Sequence, residues 1–498
     1  MEKSLRMRSY IRRQKRKQAI RIIIVSICAL LFISPLLKSH SSPQAIVNLH
    51  VPVPTKTLVP TKIPVPTKTP VPVPVPVPVP TKTPVRMMIA ETQSPAPQPV
   101  EDRKMPDVQK NEKPTICDDS GTRSVTCEIE GVVVIEGNST TISTSSYYSS
   151  PKLVEWKIKP YNRKNDPDAM AQVTELLFKP STGNDKTVHC TKNHSIPALI
   201  FSTGGYAGNV YHDFAEVLVP LFITSYQFHG DVQFIITDSK QWWIDKYLLV
   251  LKQLSKYEII TLESNKNVHC FQRTIVGTSF HKDFKVDPSK TPNGYSMSDF
   301  KEVLRKAFSL EKKTAIQLSG HLKKRPRLLI LSRSQSRKFV NERQIAEMSK
   351  SLGYEVKISD SNSGTDVAKF ARLVNSCDVF LGVHGAGLTN MVLLPDGAVV
   401  IQVVPLGRLE WLARDYYMEP SKDMKLKYLE YRILEEESTL IQQYPPNHPV
   451  IKDPFSIQEQ GWSAIKSIYL EQQNVKIRLP RLKKTLTEAL KLLRQTGA

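Results

Sequence analysis

The segment Gly382-Val-His384-Gly385-Ala386-Gly387-Leu-Thr-Asn390 stands where a buried-strand pattern gives way to a helical one. Glycines at such a turn let backbone amides approach an anion, and the following helix start adds partial positive charge. That combination suits the diphosphate of a nucleotide sugar, with His384, Gly385, Ala386, Gly387 and Asn390 as candidate donor-binding residues. The segment spells neither G-x-x-x-x-G-K-[ST] nor a complete G-x-G-x-x-G, so ATP and dinucleotide readings fail. Arg333 and Arg337, just after an earlier strand pattern, would supply the positive charge that a departing diphosphate needs.

A second glycine turn, Gly204-Gly-Tyr-Ala-Gly208, opens a helical stretch that contains His212, Asp213 and Glu216. Phe214, Val217, Leu218 and Leu221 fall on one apolar face, while His212 and Glu216, four residues apart, share the other. An inverting sugar transfer needs one base to take the proton of the acceptor hydroxyl. His212 is the candidate base, with Asp213 or Glu216 orienting it. Asp166-Pro-Asp168 matches a D-x-D metal pattern but precedes the first clear strand and reads as a turn, so no residue is assigned to a metal. H-E-x-x-H and G-x-S-x-G are both absent, which leaves zinc-hydrolase and serine-hydrolase readings without support.

The elements that must position these residues alternate. Strand patterns at 197–202, 231–237 and 257–262 are separated by helical stretches over 209–222, with Pro220 as a kink or stop, and 242–254. After the basic stretch 321–327 the order restarts. Strands are expected at 328–332, 354–359, 378–383 and 398–404, with helices over 341–352, 366–375 and 388–394. The spacing therefore predicts two Rossmann-like α/β lobes in tandem, the glycosyltransferase B-type layout, with ligands at the carboxyl ends of the strands and a site between the lobes. The lobes run over 115–320, on the acceptor side, and 321–498, on the nucleotide-sugar side with returning C-terminal helices.

The remaining 114 residues read differently. Residues 1–21 are a basic tail, and Ile22 to Leu37 form a charge-free run of sixteen residues between Arg21 and Lys38. Nine Lys/Arg precede that run, so the positive-inside rule keeps the tail cytosolic and translocates the chain beyond Lys38. With a long basic lead and no clean A-x-A site, an uncleaved signal anchor is favoured over a cleaved signal peptide. Residues 38–114 are a Pro-rich disordered stem; Val51 to Val85 alone holds twelve prolines in 35 residues. Alternating proline removes backbone donors and fixes φ, which suits a stalk better than a packed core. The net charge of +22 concentrates at this end, with +13 before residue 111, so no basic patch spans the lobes and a nucleic-acid partner is not expected.

In an oxidising lumen Cys117 and Cys127 could close a local loop and Cys190 and Cys270 a longer one, a connectivity the sequence leaves open. No C-x-x-C is present to suggest a zinc ribbon or thiol redox centre. The sequons at Asn138 and Asn193 are candidate glycosylation sites that fit the same lumenal side.

Taken in order, Cys117-Asp-Asp-Ser-Gly-Thr-Arg123, Gly204 to Asn209 with His212-Asp213, Trp242-Trp243, Val268-His-Cys-Phe271, Val276-Gly277, Gly382 to Asn390 and Lys427-Tyr-Leu-Glu-Tyr431 resemble the plant members of glycosyltransferase family 61. That group contains xylan arabinosyl- and xylosyltransferases, and the resemblance runs from about Cys117 to the C-terminus. It implies a single-pass type II Golgi membrane enzyme that moves a pentose, arabinofuranose or xylose, from a UDP-sugar onto xylan with inversion. It further implies that the Gly382–Asn390 turn and Arg333 face the donor and the His212 helix the acceptor. Which sugar moves, and whether a divalent metal assists, the resemblance leaves open. The competing expectation is a catalytically silent lumenal scaffold or carbohydrate-binding partner of other cell-wall transferases.

Overall fold

Short runs of β-branched and aliphatic residues, punctuated by Gly, Pro and Asp, become strands, and the amphipathic stretches between them become helices. The computed structural model describes residues 116–145, 155–180, 189–318, 324–360 and 366–495. The expected basic tail, membrane anchor and stem lie outside those residues. Among the described residues no helix is long and apolar enough to cross a membrane.

In the first lobe the strands are β1 Ile116–Asp118, β2 Thr126–Glu136, β3 Thr141–Ser145, β4 Trp156–Ile158, β5 Leu176–Pro180, β6 Lys192–His194, β7 Ala198–Ser202, β8 Gln233–Thr237, β9 Ile260–Thr261 and β10 Val268–Val276. They form one sheet along the path β4-β5-β3-β2-β10-β7-β8-β9, with β1 paired to β2 and β6 to β10. Only part of this sheet matches the expected parallel layout. β10, β7, β8 and β9 run parallel, but β2 pairs antiparallel with both β10 and β3. The reason lies in residues 126–136, whose alternating side chains bury one face of β2 without any helix to carry the chain back. The strand expected at 257–262 contracts to Ile260–Thr261.

The second lobe has the four expected strands and a fifth, Lys427–Arg432, that the spacing did not predict. β11 Arg327–Ser332, β12 Glu355–Asp360, β13 Val379–Val383, β14 Val399–Val404 and β15 Lys427–Arg432 form a parallel sheet in the order β12-β11-β13-β14-β15. The chain leaves β11 toward one edge and returns at β13 to build toward the other, so the strand order reverses between β11 and β13. Open α/β sheets bind ligands at that crevice. Arg333 and Arg337 follow β11, and His384 to Asn390 follow β13, which puts both candidate segments at the crevice. The helix expected over 388–394 is a 3-10 turn, Ala386–Leu393, whose N-terminal dipole is weaker than that of a long α-helix.

Successive side chains of β7 and β8 point to opposite faces. Leu199, Phe201, Phe234 and Ile236 join the large core shared with the helices and the second lobe, while Ala198, Ile200 and Ile235 pack against β2, β3 and β5. A smaller core around Leu409, Leu440 and Tyr469 holds the helical segments after β14 together. The helix Leu479–Leu492 returns to pack on β15 and on the helix Glu342–Ser351, where Leu486 O accepts from the Tyr354 hydroxyl at 2.7 Å.

Both expected disulfides form, Cys117–Cys127 across the β1–β2 pair and Cys190–Cys270 at a Cα separation of 5.8 Å. Asn138, in the turn between β2 and β3, and Asn193, on β6, are both exposed. Asp166 caps the short helix Pro167–Met170 by accepting from the Ala169 amide, so the D-x-D pattern is a helix start where a turn was expected.

Candidate active site

The helix after Gly208 is built around a proline. It begins as Val210–His212, widens into a π turn over Asp213–Leu218 and continues as Val219–Ser225. Pro220 therefore does not end it. Lacking an N–H, Pro220 leaves the Glu216 carbonyl without its usual helical donor, and Asn162 Nδ2 fills the gap at 2.7 Å. A π turn widens the helix locally and re-aims its side chains.

That turn sends the two acidic residues in different directions. Glu216 is 1% exposed and its carboxylate collects His212 Nδ1 at 2.7 Å, Arg163 Nε at 2.6 Å and the Tyr161 hydroxyl at 2.6 Å. Burial by itself would raise its pKa; the His212 hydrogen bond, with Arg163 and Tyr161, outweighs that and holds the carboxyl below its ordinary value. Asp213, fully buried, faces away. It accepts from the Gly208 amide at 2.7 Å, Trp243 Nε1 at 2.8 Å and the Tyr247 hydroxyl at 2.7 Å, and pairs with Lys246 at 3.3 Å. Of the two residues considered as orienting partners for His212, Glu216 makes that contact and Asp213 instead ties the glycine turn to the helix Gln241–Leu254.

On the second lobe, Gly385 has a φ of 145° and lies against both arginines: a Cβ placed there would come within 2.6 Å of Arg337 Nη1 and 3.1 Å of Arg333 Nη1. Arg337 Nη1 donates to the His384 carbonyl at 2.9 Å and Arg333 Nε to the Ser336 carbonyl at 2.8 Å. Among the described residues neither guanidinium forms an ion pair with a carboxylate, and the buried Arg337 Nε has no hydrogen-bond partner. Burial and the neighbouring Arg333 push Arg337 down to about 10. Two like charges held half out of water, with Asp360 and Glu471 acting on them only from beyond ion-pair distance, are an unfavourable arrangement for the empty protein and a favourable one for an anion.

His384 is 4% exposed and lies beneath this pair. Gln402 Oε1 accepts from the Tyr428 hydroxyl at 2.7 Å, which turns Gln402 Nε2 toward His384 Nδ1 at 2.6 Å and assigns the ring proton to Nε2. Burial, then Arg337 and Arg333, push the imidazole down to about 3, so it is a neutral donor rather than a cation. Because the unfolded chain takes up a proton near 6.5 and the folded chain only near 3, this residue weakens the fold as pH falls through that window, by up to about 1.4 kcal/mol per pH unit. Denaturant unfolding between pH 7 and 4 should show wild type losing stability faster than His384→Gln. Parallel slopes for the two proteins would refute the assignment.

A cleft of about 930 Å³ separates the lobes. Arg333, Ala386, Gly387 and Asn390 line its second-lobe wall, and Asn209, Trp242 and Lys246 are on the first-lobe wall. His384, Gly385 and Arg337 stand behind the lining rather than in it. Asn390 Nδ2 donates to the Gly387 carbonyl at 2.9 Å, so its amide secures the turn. His212 is also set back from this wall, on the far side of the turn whose Asn209, Val210 and Phe214 line it, with its side chain 20% exposed beside Tyr206 and Tyr211. The Val210–His212 turn nonetheless packs directly on the Ala386–Leu393 turn. Tyr211 packs tilted against Tyr416 and edge-on to Tyr417, and the Tyr417 hydroxyl donates to the Gly385 carbonyl at 2.8 Å, joining the two halves. Among the described residues no group of three or more His, Cys, Asp or Glu side chains is placed to hold a metal ion.

Sequence reasoning missed Tyr161, Arg163, Gln402 and Tyr417. Arg163 sits in a polar stretch with no periodicity, and Tyr417 in a second π turn, Arg414–Met418, so neither carries a local signal. Tyr428 lies within the Lys427–Tyr431 segment noted for resemblance alone.

A parallel sheet with a basic, glycine-bounded crevice facing a second lobe defines a mixed α/β protein, and the comparisons with known proteins specify its family. The family description Glycosyltransferase 61 matches residues 210–401. Alpha-1,3-arabinosyltransferase XAT3 of Oryza sativa subsp. japonica is 44% identical over 386 residues, 78% of this chain and 66% of that protein. Beta-1,2-xylosyltransferase XYXT1 of the same organism is 41% identical over 398 residues, 76% of this chain and 84% of that protein. Xylan glycosyltransferase MUCI21 of Arabidopsis thaliana is 37% identical over 400 residues, covering 77% and 81%. The chain belongs to glycosyltransferase family 61, and it spans about two thirds of the length of the arabinosyltransferase it matches.

Proposed function

We propose that this protein is an inverting pentosyltransferase of two-lobed, glycosyltransferase B-type architecture that moves arabinofuranose or xylose from a UDP-sugar onto xylan. The observation that carries the reading is the pair Arg333 and Arg337, half-buried, without an ion pair to a described carboxylate and set against Gly385 at the crevice between β11 and β13, with Asp360 and Glu471 acting on them only from longer range. The diphosphate of the donor supplies the missing negative charge, and the main-chain groups of 385–387 allow its close approach. His212, oriented by Glu216, takes the proton of the acceptor hydroxyl. The hydroxyl oxygen attacks the anomeric carbon from the face opposite the diphosphate, and the bond to the phosphate oxygen breaks with its electrons leaving on UDP.

The relatives named for arabinosyl and xylosyl transfer support the pentose and xylan parts of this reading, and favour it over a silent scaffold. The protein acts as a type II Golgi membrane enzyme, held off the bilayer by its proline-rich stem, with Asn138 and Asn193 carrying glycans. Incubating the purified protein with xylo-oligosaccharides and UDP-arabinofuranose, UDP-xylose or UDP-N-acetylglucosamine, followed by mass spectrometry, tests the activity. A one-pentose mass increase with one donor is the expected result, and no increase with any donor would remove the proposal. Loss of an endoglycosidase-sensitive mobility shift in N138Q/N193Q checks the lumenal side, and its absence in the wild type would place the body elsewhere.

A further inference from the structure

Trp242 and Trp243 are neighbours with opposite fates. Trp243 is fully buried, its indole N–H held by Asp213, whereas Trp242 is 51% exposed and lines the cleft. A large aromatic side chain left half in water on a concave wall, beside a buried twin, leaves a flat apolar face for a ligand.

Its place is fixed by three contacts that converge on Asp213. The carboxylate holds the Gly208 amide, Trp243 Nε1 and the Tyr247 hydroxyl, so the glycine turn and the helix Gln241–Leu254 are locked in register. Gly208, at φ 118°, lies under the Trp242 ring: a Cβ there would stand 3.1 Å from the indole edge. Around the ring, Asn209, Asp245 and Lys246 line the same wall with hydrogen-bonding groups. An apolar plate rimmed by polar side chains is the arrangement that binds a sugar ring, whose C–H face packs on the aromatic while its hydroxyls reach the rim.

Resting on the proposed transferase reading, we infer that Trp242 is the stacking platform for a pentopyranose unit of the acceptor chain. The donor diphosphate belongs to the opposite wall, at Arg333 and Gly387, so a ring on the Trp242 wall is the partner that approaches the donor sugar. A pentopyranose fits because it lacks the exocyclic hydroxymethyl group, and its two faces present ring C–H bonds with nothing to lift them from the indole plane. Asp213 is then a positioning residue, acting through the turn and the helix it joins.

Calorimetric titration of the full-length protein with xylohexaose and, separately, with UDP tests this. Trp242→Ala should weaken xylohexaose binding about tenfold, the equivalent of uncovering one face of an aromatic ring. Trp242→Phe should stay within about threefold of wild type, because a smaller flat face remains. UDP binding should be the same in all three proteins, and in turnover the acceptor KM should rise while kcat holds. Unchanged xylohexaose binding in Trp242→Ala overturns the inference, as does a parallel loss of UDP binding, which would put the ring on the donor. Trp242→Phe as weak as Trp242→Ala, with a lowered unfolding temperature, would make the residue a packing element instead. A wild-type protein that binds UDP but no xylohexaose refutes the xylan acceptor itself, an outcome distinct from the three above.

Discussion

Replacing Arg337 with methionine should remove donor use almost entirely while leaving the unfolding temperature unchanged or higher. The two halves of this expectation come from the same fact. Arg337 holds a positive charge half out of water, next to the like charge of Arg333 and with no ion pair to a described carboxylate, and its pKa is pushed down to about 10 as a result. Methionine is shorter by the guanidinium group but keeps the apolar stem and lifts the repulsion, so the empty protein gains from the change. It loses the hydrogen bond to the His384 carbonyl, about 1 kcal/mol, which roughly offsets that gain. Replacing charged partners by apolar groups of similar volume is often neutral or stabilising for this reason. The donor sees only the loss. A missing guanidinium at a developing phosphate charge lowers kcat/KM by about 100-fold or more. Thermal scans with and without UDP check both halves together: wild type should gain about 2.7 kcal/mol at 100 times Kd, and R337M almost nothing. Arg163 makes the contrast. Its guanidinium is paired with the buried Glu216, so R163M should lower stability by about 3 kcal/mol by leaving that carboxylate to His212 and Tyr161 alone. If R337M unfolds several degrees early and still binds UDP, the arginine pair is scaffolding and the diphosphate belongs elsewhere.

The second lobe was legible in the sequence from 328 to 404 because its elements there carry their own pattern, whereas β15, Lys427–Arg432, was not read as a strand. Leu328 to Ser332, Val379 to Val383 and Val399 to Val404 are continuous apolar runs, as strands covered on both faces must be, and each is separated from the next by a stretch of helical period. The first lobe was legible only from β7 onward. β2 and β3 are half-polar strands: β2 takes its place by pairing with β10, a contact more than 130 residues away in sequence that no local pattern reports, and β3 by pairing with β2 and β5. The candidate site divides along the same line. Glycines and charged residues at strand ends mark where a site is, which is why Gly385 and Arg333 were found. Side chains that arrive from distant segments to finish it, such as Tyr161, Arg163, Gln402 and Tyr417, carry no mark. The opposed orientations of Asp213 and Glu216 also lie beyond a helical wheel, because the π turn between them breaks the period on which the wheel depends.

Glu216→Gln should lower kcat about 10- to 100-fold with little change in acceptor KM or in UDP binding. The substitution isolates charge from shape. Glu216 Oε1 accepts from both His212 Nδ1 and Arg163 Nε, a role the amide oxygen of glutamine keeps, while the amide nitrogen can meet the Tyr161 hydroxyl as a donor. The change removes the negative charge that stabilises the imidazolium formed when His212 takes the acceptor proton. His212→Ala, which removes the base itself, should cost about 10² to 10⁴ in kcat. A scaffolding role for the pair predicts another pattern, with kcat following the loss of folded protein. The folded carboxyl is held below its ordinary pKa, so its charge contributes stability that is fully present at neutral pH and is lost as pH falls through the folded value. The stability gap between wild type and E216Q should therefore be widest near pH 7 and close in acid. Asp166, 3.3 Å from Arg163, keeps part of that cation's charge matched in the variant, which holds the gap below the cost of truncating Glu216 to alanine. The competing proton acceptor is Asp245, exposed on the first-lobe wall of the cleft itself. If His212→Ala and E216Q both turn over at the wild-type rate while Asp245→Asn is silent, the base is Asp245. The His212–Glu216–Arg163 unit then serves to fasten the helix after Gly208 to the segment around Tyr161, and the catalytic assignment moves to the helix Gln241–Leu254 without disturbing the donor site across the cleft.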